Sequence, residues 1–224
     1  MEVFYFTTAQ HAINNIALRR LKVSRYRELN DPFELQAMSF NTDGERDLFN
    51  ESIEALHAEE GLVCFTEDWK NQLMWSHYAD KYQGVALGFE VEDGRLDEIK
   101  YQKTFAVGDL TATSVEKLLG RLKTTKSDEW RYEKERRLFV TLADATKEGG
   151  LYFIPFLGAM RLTKVILGAR CSIDPNTVHD LLKPFEGAVA IVQTKTATGG
   201  FDIVTVNWRR RLSHAFRGGI MRRS

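Results

Sequence analysis

Residues 71–90 read NQLMWSHYADKYQGVALGFE. Helical spacing through QLMWSHYADKY sets Met74, Tyr78 and Lys81 on one side, with Trp75 beside Tyr78, Ala79 and Tyr82. The helix is expected to run to Gly84, where the lack of a Cβ lets the chain turn tightly into the apolar strand VALGFEV. A helix that gathers Trp, His and two Tyr just before a buried strand either wedges an aromatic stripe into a core or lines a site. The spacing predicts a division of labour. Trp75 and Tyr78 anchor the helix, and His77 and Tyr82 face a cleft.

Working outward, the same alternation of helix and strand recurs. VFYFTT near the start is aromatic and β-prone, and Thr7 or Thr8 is placed to N-cap a helix through AQHAINNIALRR. LKVSRY reads as a short strand, and ELNDPFE as a turn, because Pro32 pushes Asp31 out of the helical region. GERDLFNESIEALHAEEG has an amphipathic period, with Leu48, Ile53 and Leu56 as core contacts and Gly61 as the helix stop. LVCFTE, EIKYQ, RLFVTL, LYFIPF, TKVILG, AVAIVQTK and DIVTVNW read as strands, SVEKLLGRLK as a short helix and ATGGF as a hairpin turn. DPNTVHDLLKPF reads as a helix capped by Asn176 or Thr177. Strands in runs, broken by about five short helices, define an α+β domain with a mixed, largely antiparallel sheet. The expected layout is one domain over 1–208 and a basic tail over 209–224.

Composition narrows the function classes. The chain has 224 residues, 43% of them hydrophobic, with 31 Lys plus Arg against 31 Asp plus Glu. Global charge therefore points to no polyanionic partner. The tail is the exception: Arg209, Arg210, Arg211, Arg217, Arg222 and Arg223 occur there with no acid. It reads as a solvated end or as a contact for a phosphate-bearing partner, a nucleic-acid or protein acceptor. MEVFYFTT lacks the pattern of a signal peptide, and no stretch approaches the ~20 apolar residues of a membrane span. Cys64 and Cys171 have no CxxC partner, so a reducing cytoplasm and no metal are expected.

Three stretches, LNDPFE (29–34), LMWSHYADKYQGVALGF (73–89) and WRYEKERRLF (130–139), together resemble the bacterial family called domain of unknown function 2971. The resemblance covers 29–139 and carries no accepted activity. Within the third stretch, a strand would project Glu133 and Glu135 to one face, with Lys134 and Arg136 on the other. That Glu-x-Glu pair is similar to the one in ADP-ribosyltransferases, where it holds the nicotinamide ribose and supports an oxocarbenium-like transition state.

The likeness implies a split sheet, NAD as substrate, and Glu135 and Glu133 as catalytic residues. It also implies stacking of Trp75, Tyr78 or Tyr82 on nicotinamide, binding roles for Asn30, Asp31, Glu34, His77 and Arg136, and a setting in stress or phage defence. The chain departs from that pattern at the first strand, FYFTT, which has Tyr5 or Phe6 where a His is common. It also has CFTED where a Ser-Thr-Ser strand is expected.

Other readings stand beside it. Glu133 and Glu135 would pair with Arg131, Arg136, Arg137 or Arg161 in a purely structural stretch. Asp31 in an Asx-turn, with Phe33 anchored in the core, explains NDPFE without chemistry. Asp31, Glu34 and Glu133 could hold magnesium in a nuclease, although the usual Glu-x-Lys spacing is missing. A non-catalytic interaction module would use the same motifs for packing.

Overall fold

A computed structural model describes residues 1–36, 38–40, 42–104, 106–107, 114–156 and 160–207. The basic tail lies outside the described residues. The first half of the chain forms β1 (Glu2–Thr7), α1 (Ala9–Leu18), β2 (Arg20–Val23), β3 (Met38–Ser39), α2 (Asp43–Glu59), β4 (Glu60–Thr66), α3 (Gln72–Tyr78) and β5 (Val85–Val91). It continues with β6 (Asp97–Glu98), β7 (Lys100–Gln102), β8 (Ala106–Val107), α4 (Val115–Leu122), β9 (Thr125–Ser127) and β10 (Glu135–Thr141). Last come β11 (Thr146–Glu148), β12 (Leu151–Pro155), β13 (Met160–Leu167), α5 (Pro175–Leu182), β14 (Ala190–Thr196) and β15 (Ile203–Asn207).

Eight strands form the main sheet in the order β15-β14-β13-β5-β1-β4-β10-β6. Among the described residues only β13 and β14 run parallel in it. The α+β class and the mostly antiparallel sheet are as expected.

Side-chain alternation divides the core. Val3, Val63, Phe65, Leu87 and Phe89 point to the face covered by α1 and α5 through Ala12, Ile16 and Val178. Phe4, Phe6, Ala86 and Ile166 point to the opposite face, where α3 lays Met74 and Trp75 on them. Farther along that second face, α2 and α4 cover Leu62 with Phe49, Leu118 and Leu122. Two separate apolar clusters thus sit on one face, with a gap between them.

The gap coincides with a split in the sheet. β1 pairs with β5 along its whole length, but it meets β4 at a single register pair, Phe4 with Thr66. Beyond that pair the two strands have no ladder.

Several local readings are corrected. α3 stops at Tyr78, well before Gly84, because Asp80, Lys81 and Tyr82 take left-handed φ values of 44°, 54° and 72°. Local bonds close this turn, the Tyr82 N–H donating to Trp75 O (3.1 Å) and the Gly84 N–H to Ala79 O (2.8 Å), and tertiary bonds fix it, the Arg170 N–H donating to Tyr82 O and the Gly168 N–H to Gly84 O (both 3.0 Å). A Cβ on Gly84 would lie 2.2 Å from Thr7 O, so close strand approach, not helix termination, requires glycine there. Gly61 lies inside β4, where a Cβ would lie 2.6 Å from Val23, and α2 ends at Glu59 without it. Leu48 is exposed and Phe49 takes its core position. Asp174, not Asn176 or Thr177, caps α5, accepting from the Asn176 N–H with Pro175 in the first turn.

Candidate functional site

The Asp31 side chain forms the expected Asx-turn, accepting from the Phe33 N–H at 2.9 Å. Phe33, however, is 56% exposed; Leu35, in a left-handed conformation at φ 61°, is the buried anchor of the turn. A bulky side chain pins the turn's end in the core, so the conformation is held despite its cost of ~1–3 kcal/mol. The turn thereby fixes Asn30 and Glu34 on opposite sides of one polar cluster.

Glu133 and Glu135 meet by a route other than strand alternation. Glu133 closes a 3-10 turn, Asp128–Glu133, Lys134 reverses the chain at φ 46°, and only Glu135 begins β10. Both carboxylates nevertheless reach Lys126 of β9, whose Nζ lies 2.6 Å from Glu133 and 3.1 Å from Glu135. Arg137, fully buried and one alternation beyond Glu135, donates through Nε to Glu135 (2.7 Å) and through both terminal nitrogens to Glu34. Three carboxylates and two cations are thus linked in a chain running Glu133, Lys126, Glu135, Arg137, Glu34. With all five ionised, it carries one surplus negative charge.

The surplus settles unevenly. Burial acts to raise the Glu135 carboxyl, but the Arg137 guanidinium and Lys126 ammonium outweigh it and hold the group at about 2. Glu133 lacks the arginine, and there burial and the neighbouring Glu135 outweigh Lys126 and raise its pKa. Such a divergence between adjacent carboxyls separates a fixed charge from a group able to exchange a proton. Lys126 is kept charged, the two glutamates overcoming burial, and burial pushes the Cys64 thiol well up.

This cluster floors a cavity of ≈ 250 Å³. The walls come from both edges of the split: Phe4, Tyr5 and Phe6 of β1, and Val63 to Thr66 of β4, with Met74 and Tyr78 of α3. Lys22 and Glu28, paired at 2.7 Å, and Asn30 stand at the mouth. The volume falls below the roughly 300–1,000 Å³ of typical small-molecule sites.

The aromatic stretch divides otherwise than the spacing predicts. Trp75 anchors α3: it is fully buried, donates from Nε1 to Trp69 O at 2.6 Å and is therefore closed to a ligand. Tyr78 faces the cavity, donating its hydroxyl proton to Glu133 and accepting from Asn30 Nδ2 at 2.8 Å. His77 is exposed and pairs with the Tyr132 hydroxyl at 2.9 Å, outside the cavity lining. Tyr82 stacks on Trp75 and donates to Gln72 O.

Arg136 points away, to Glu67 and Glu98. Asp31 supports the turn and does not line the cavity. No three His, Cys, Asp or Glu side chains among the described residues group to hold a metal ion, so Asp31, Glu34 and Glu133 do not form the magnesium cluster considered above.

Sequence reasoning missed Lys126; Arg137 was among the arginines named as pairing candidates, and it does pair with Glu135. Lys126 is a single lysine in a charged run and nothing in TTKSDE marks it. Arg137 was legible, since two-residue alternation from Glu135 puts it on the same face.

Comparison with protein-family models, curated proteins and solved structures gave no match. The resemblance to domain of unknown function 2971 rests on the three motifs alone. Among the described residues no helix is long and apolar enough to cross a membrane.

Proposed function

We propose that the protein is an NAD-using enzyme that breaks the nicotinamide–ribose bond and passes the ADP-ribosyl group to water or to a macromolecular acceptor. The observation that carries this reading is the cavity in the split between β1 and β4, with Glu133 and Glu135 on its floor. The nicotinamide ring and its ribose enter, between walls that include Phe4, Phe6 and Tyr78. The C1′–N bond breaks with its electron pair moving to the ring nitrogen, so neutral nicotinamide leaves. Positive charge on the ribose is met by the ionised carboxylate of Glu135 and the surplus charge of the cluster. The attacking oxygen bonds to C1′ and its proton passes to Glu133, whose proton affinity burial and the neighbouring Glu135 raise above that of an ordinary carboxylate. Stress or phage defence is the setting proposed for such chemistry.

Nicotinamide release from NAD, measured by chromatography with the purified protein and with a cell extract as acceptor source, tests the reading. Wild type is expected to turn over. Folded Glu133→Gln and Glu135→Gln are expected to lose on the order of a hundredfold or more, the scale of removing one transition-state electrostatic contact. Folded variants as active as wild type overturn it.

A second reading, a non-catalytic interaction module, is favoured by the saturation of Glu34 and Glu135 by Arg137 and Lys126. It takes precedence if wild type leaves NAD intact with water and with the extract.

A further inference from the structure

The two most distinctive motifs, NDPFE and MWSHYAD, converge on one hydrogen-bond relay. Asn30 Nδ2 donates to the Tyr78 hydroxyl at 2.8 Å, and that hydroxyl donates to Glu133 Oε1. Glu133 Oε2 takes the Lys126 ammonium at 2.6 Å, so each carboxylate oxygen has its own donor. A tyrosine hydroxyl has one proton and two lone pairs. With Asn30 donating to a lone pair, the hydroxyl proton is left to point at Glu133.

α3 is fastened to the turn that carries Glu133 by two further bonds. Asn71 caps α3 through the Leu73 N–H and also donates to Tyr132 O at 3.1 Å, and His77 meets the Tyr132 hydroxyl. Glu34, four residues beyond Asn30, holds the far end of the same charge chain through Arg137.

We propose that Asn30 and Tyr78 are positioning residues, with Asn30 acting through the Tyr78 hydroxyl to set the orientation and protonation of Glu133. The inference rests on the reading of Glu133 as the proton-accepting group, and its test involves no NAD. The groups facing Glu133 are Lys126 from β9, Glu135 from β10, Tyr78 from α3, Tyr101 from β7 and the adjoining Tyr132, with Arg137 acting on it only through Glu135. Lys126, Arg137 and Glu135 hold one charge state over the range in which Glu133 titrates, and burial raises Tyr78, Tyr101 and Tyr132. The relay donates to the carboxylate form. Removing it favours the protonated acid and moves the Glu133 midpoint upward.

Carboxyl ¹³C resonances of glutamate-labelled protein, followed from acid to alkaline pH and assigned with Glu133→Gln, read this directly. In wild type the Glu133 resonance is expected to titrate above the ordinary glutamate range. Tyr78→Phe should move its midpoint up by roughly one pH unit, the scale of a hydrogen bond to a charged group. Asn30→Ala should move it by less in the same direction, with Glu135 unmoved in both. Asn30 is exposed, so its variant keeps the test open should Tyr78→Phe not fold. A Glu133 midpoint at or below the ordinary range, or one that folded Asn30→Ala leaves in place, overturns the inference. A purely packing role for the pair would lower the melting temperature without moving the midpoint.

Discussion

Replacing Arg137 with methionine removes the one cation shared by Glu34 and Glu135 while keeping an unbranched apolar chain. Arg137 and Glu135 are 0% and 3% exposed, and Glu34 has a 4% exposed side chain, so solvent cannot substitute for the lost guanidinium. Leaving buried charges unpaired costs about 3–5 kcal/mol. The net effect of Arg137, Lys126 and burial on Glu135 is of similar size. Glu135 is held at about 2 against an ordinary 4.5, which at 1.36 kcal/mol per pH unit corresponds to roughly 3 kcal/mol.

Because the folded-state value is depressed, that stability is fully present above pH ~4.5 and is lost as pH falls through about 2. The assay is urea unfolding of wild type and Arg137→Met from pH 7 down to pH 3. The expected gap at pH 7 is about 3–5 kcal/mol, and it should narrow below pH ~4.5. In a thermal melt at pH 7 the same gap corresponds to about 6–20 °C for a chain of this size. A gap under about 1 kcal/mol, or one that is the same at pH 7 and pH 3, refutes the view that Arg137 neutralises the buried pair.

Trp75→Ala, which empties a fully buried indole site, should cost about 3–5 kcal/mol by denaturant unfolding, whereas a ligand-stacking tryptophan would cost little. Gly84→Ala forces a Cβ to within 2.2 Å of Thr7 O and should destabilise by at least about 1–3 kcal/mol; an unchanged melting temperature contradicts that contact. Removing 209–224 should abolish any weak, salt-dependent nucleic-acid binding, because clustered arginines supply a mainly electrostatic term. Retardation of nucleic acid that is equal for the truncated and full chains at low salt assigns the binding elsewhere.

Fold class was legible because its signals are local. Thr8 caps α1, and Thr42 with Glu45 forms a full capping box at α2, both within a few residues of sequence. Strands such as β1 and β5 announce themselves by β-branched and aromatic runs. Legibility failed where tertiary contacts override local preference. The left-handed run at Asp80, Lys81 and Tyr82 is tied to the end of β13 by the Arg170 N–H on Tyr82 O and the Gly168 N–H on Gly84 O, and no propensity foretells three such residues in a row. Gly61 and Gly84 looked like helix stops because glycine's common role is local, yet both answer to a neighbouring strand.

The candidate site divides in the same way. Glu133, Glu135, Asn30 and Tyr78 were singled out by residue type and spacing, and all line the cavity. Glu34, also singled out, supports Arg137 from behind. Lys126 reaches the carboxylates through the packing of β9 beside the 3-10 turn, which no sequence pattern encodes.

The most direct measurement is a crystal structure of Glu133→Gln grown with NAD, since the variant keeps the side-chain shape and slows turnover. The nicotinamide ribose should lie in the split between β1 and β4, within hydrogen-bond reach of residue 133 and beside Tyr78, with the rest of the dinucleotide leaving past Asn30 and Lys22. Dinucleotide bound elsewhere on the protein, or a cavity that excludes NAD while wild type still turns it over, would contradict the assignment of this cavity as the site.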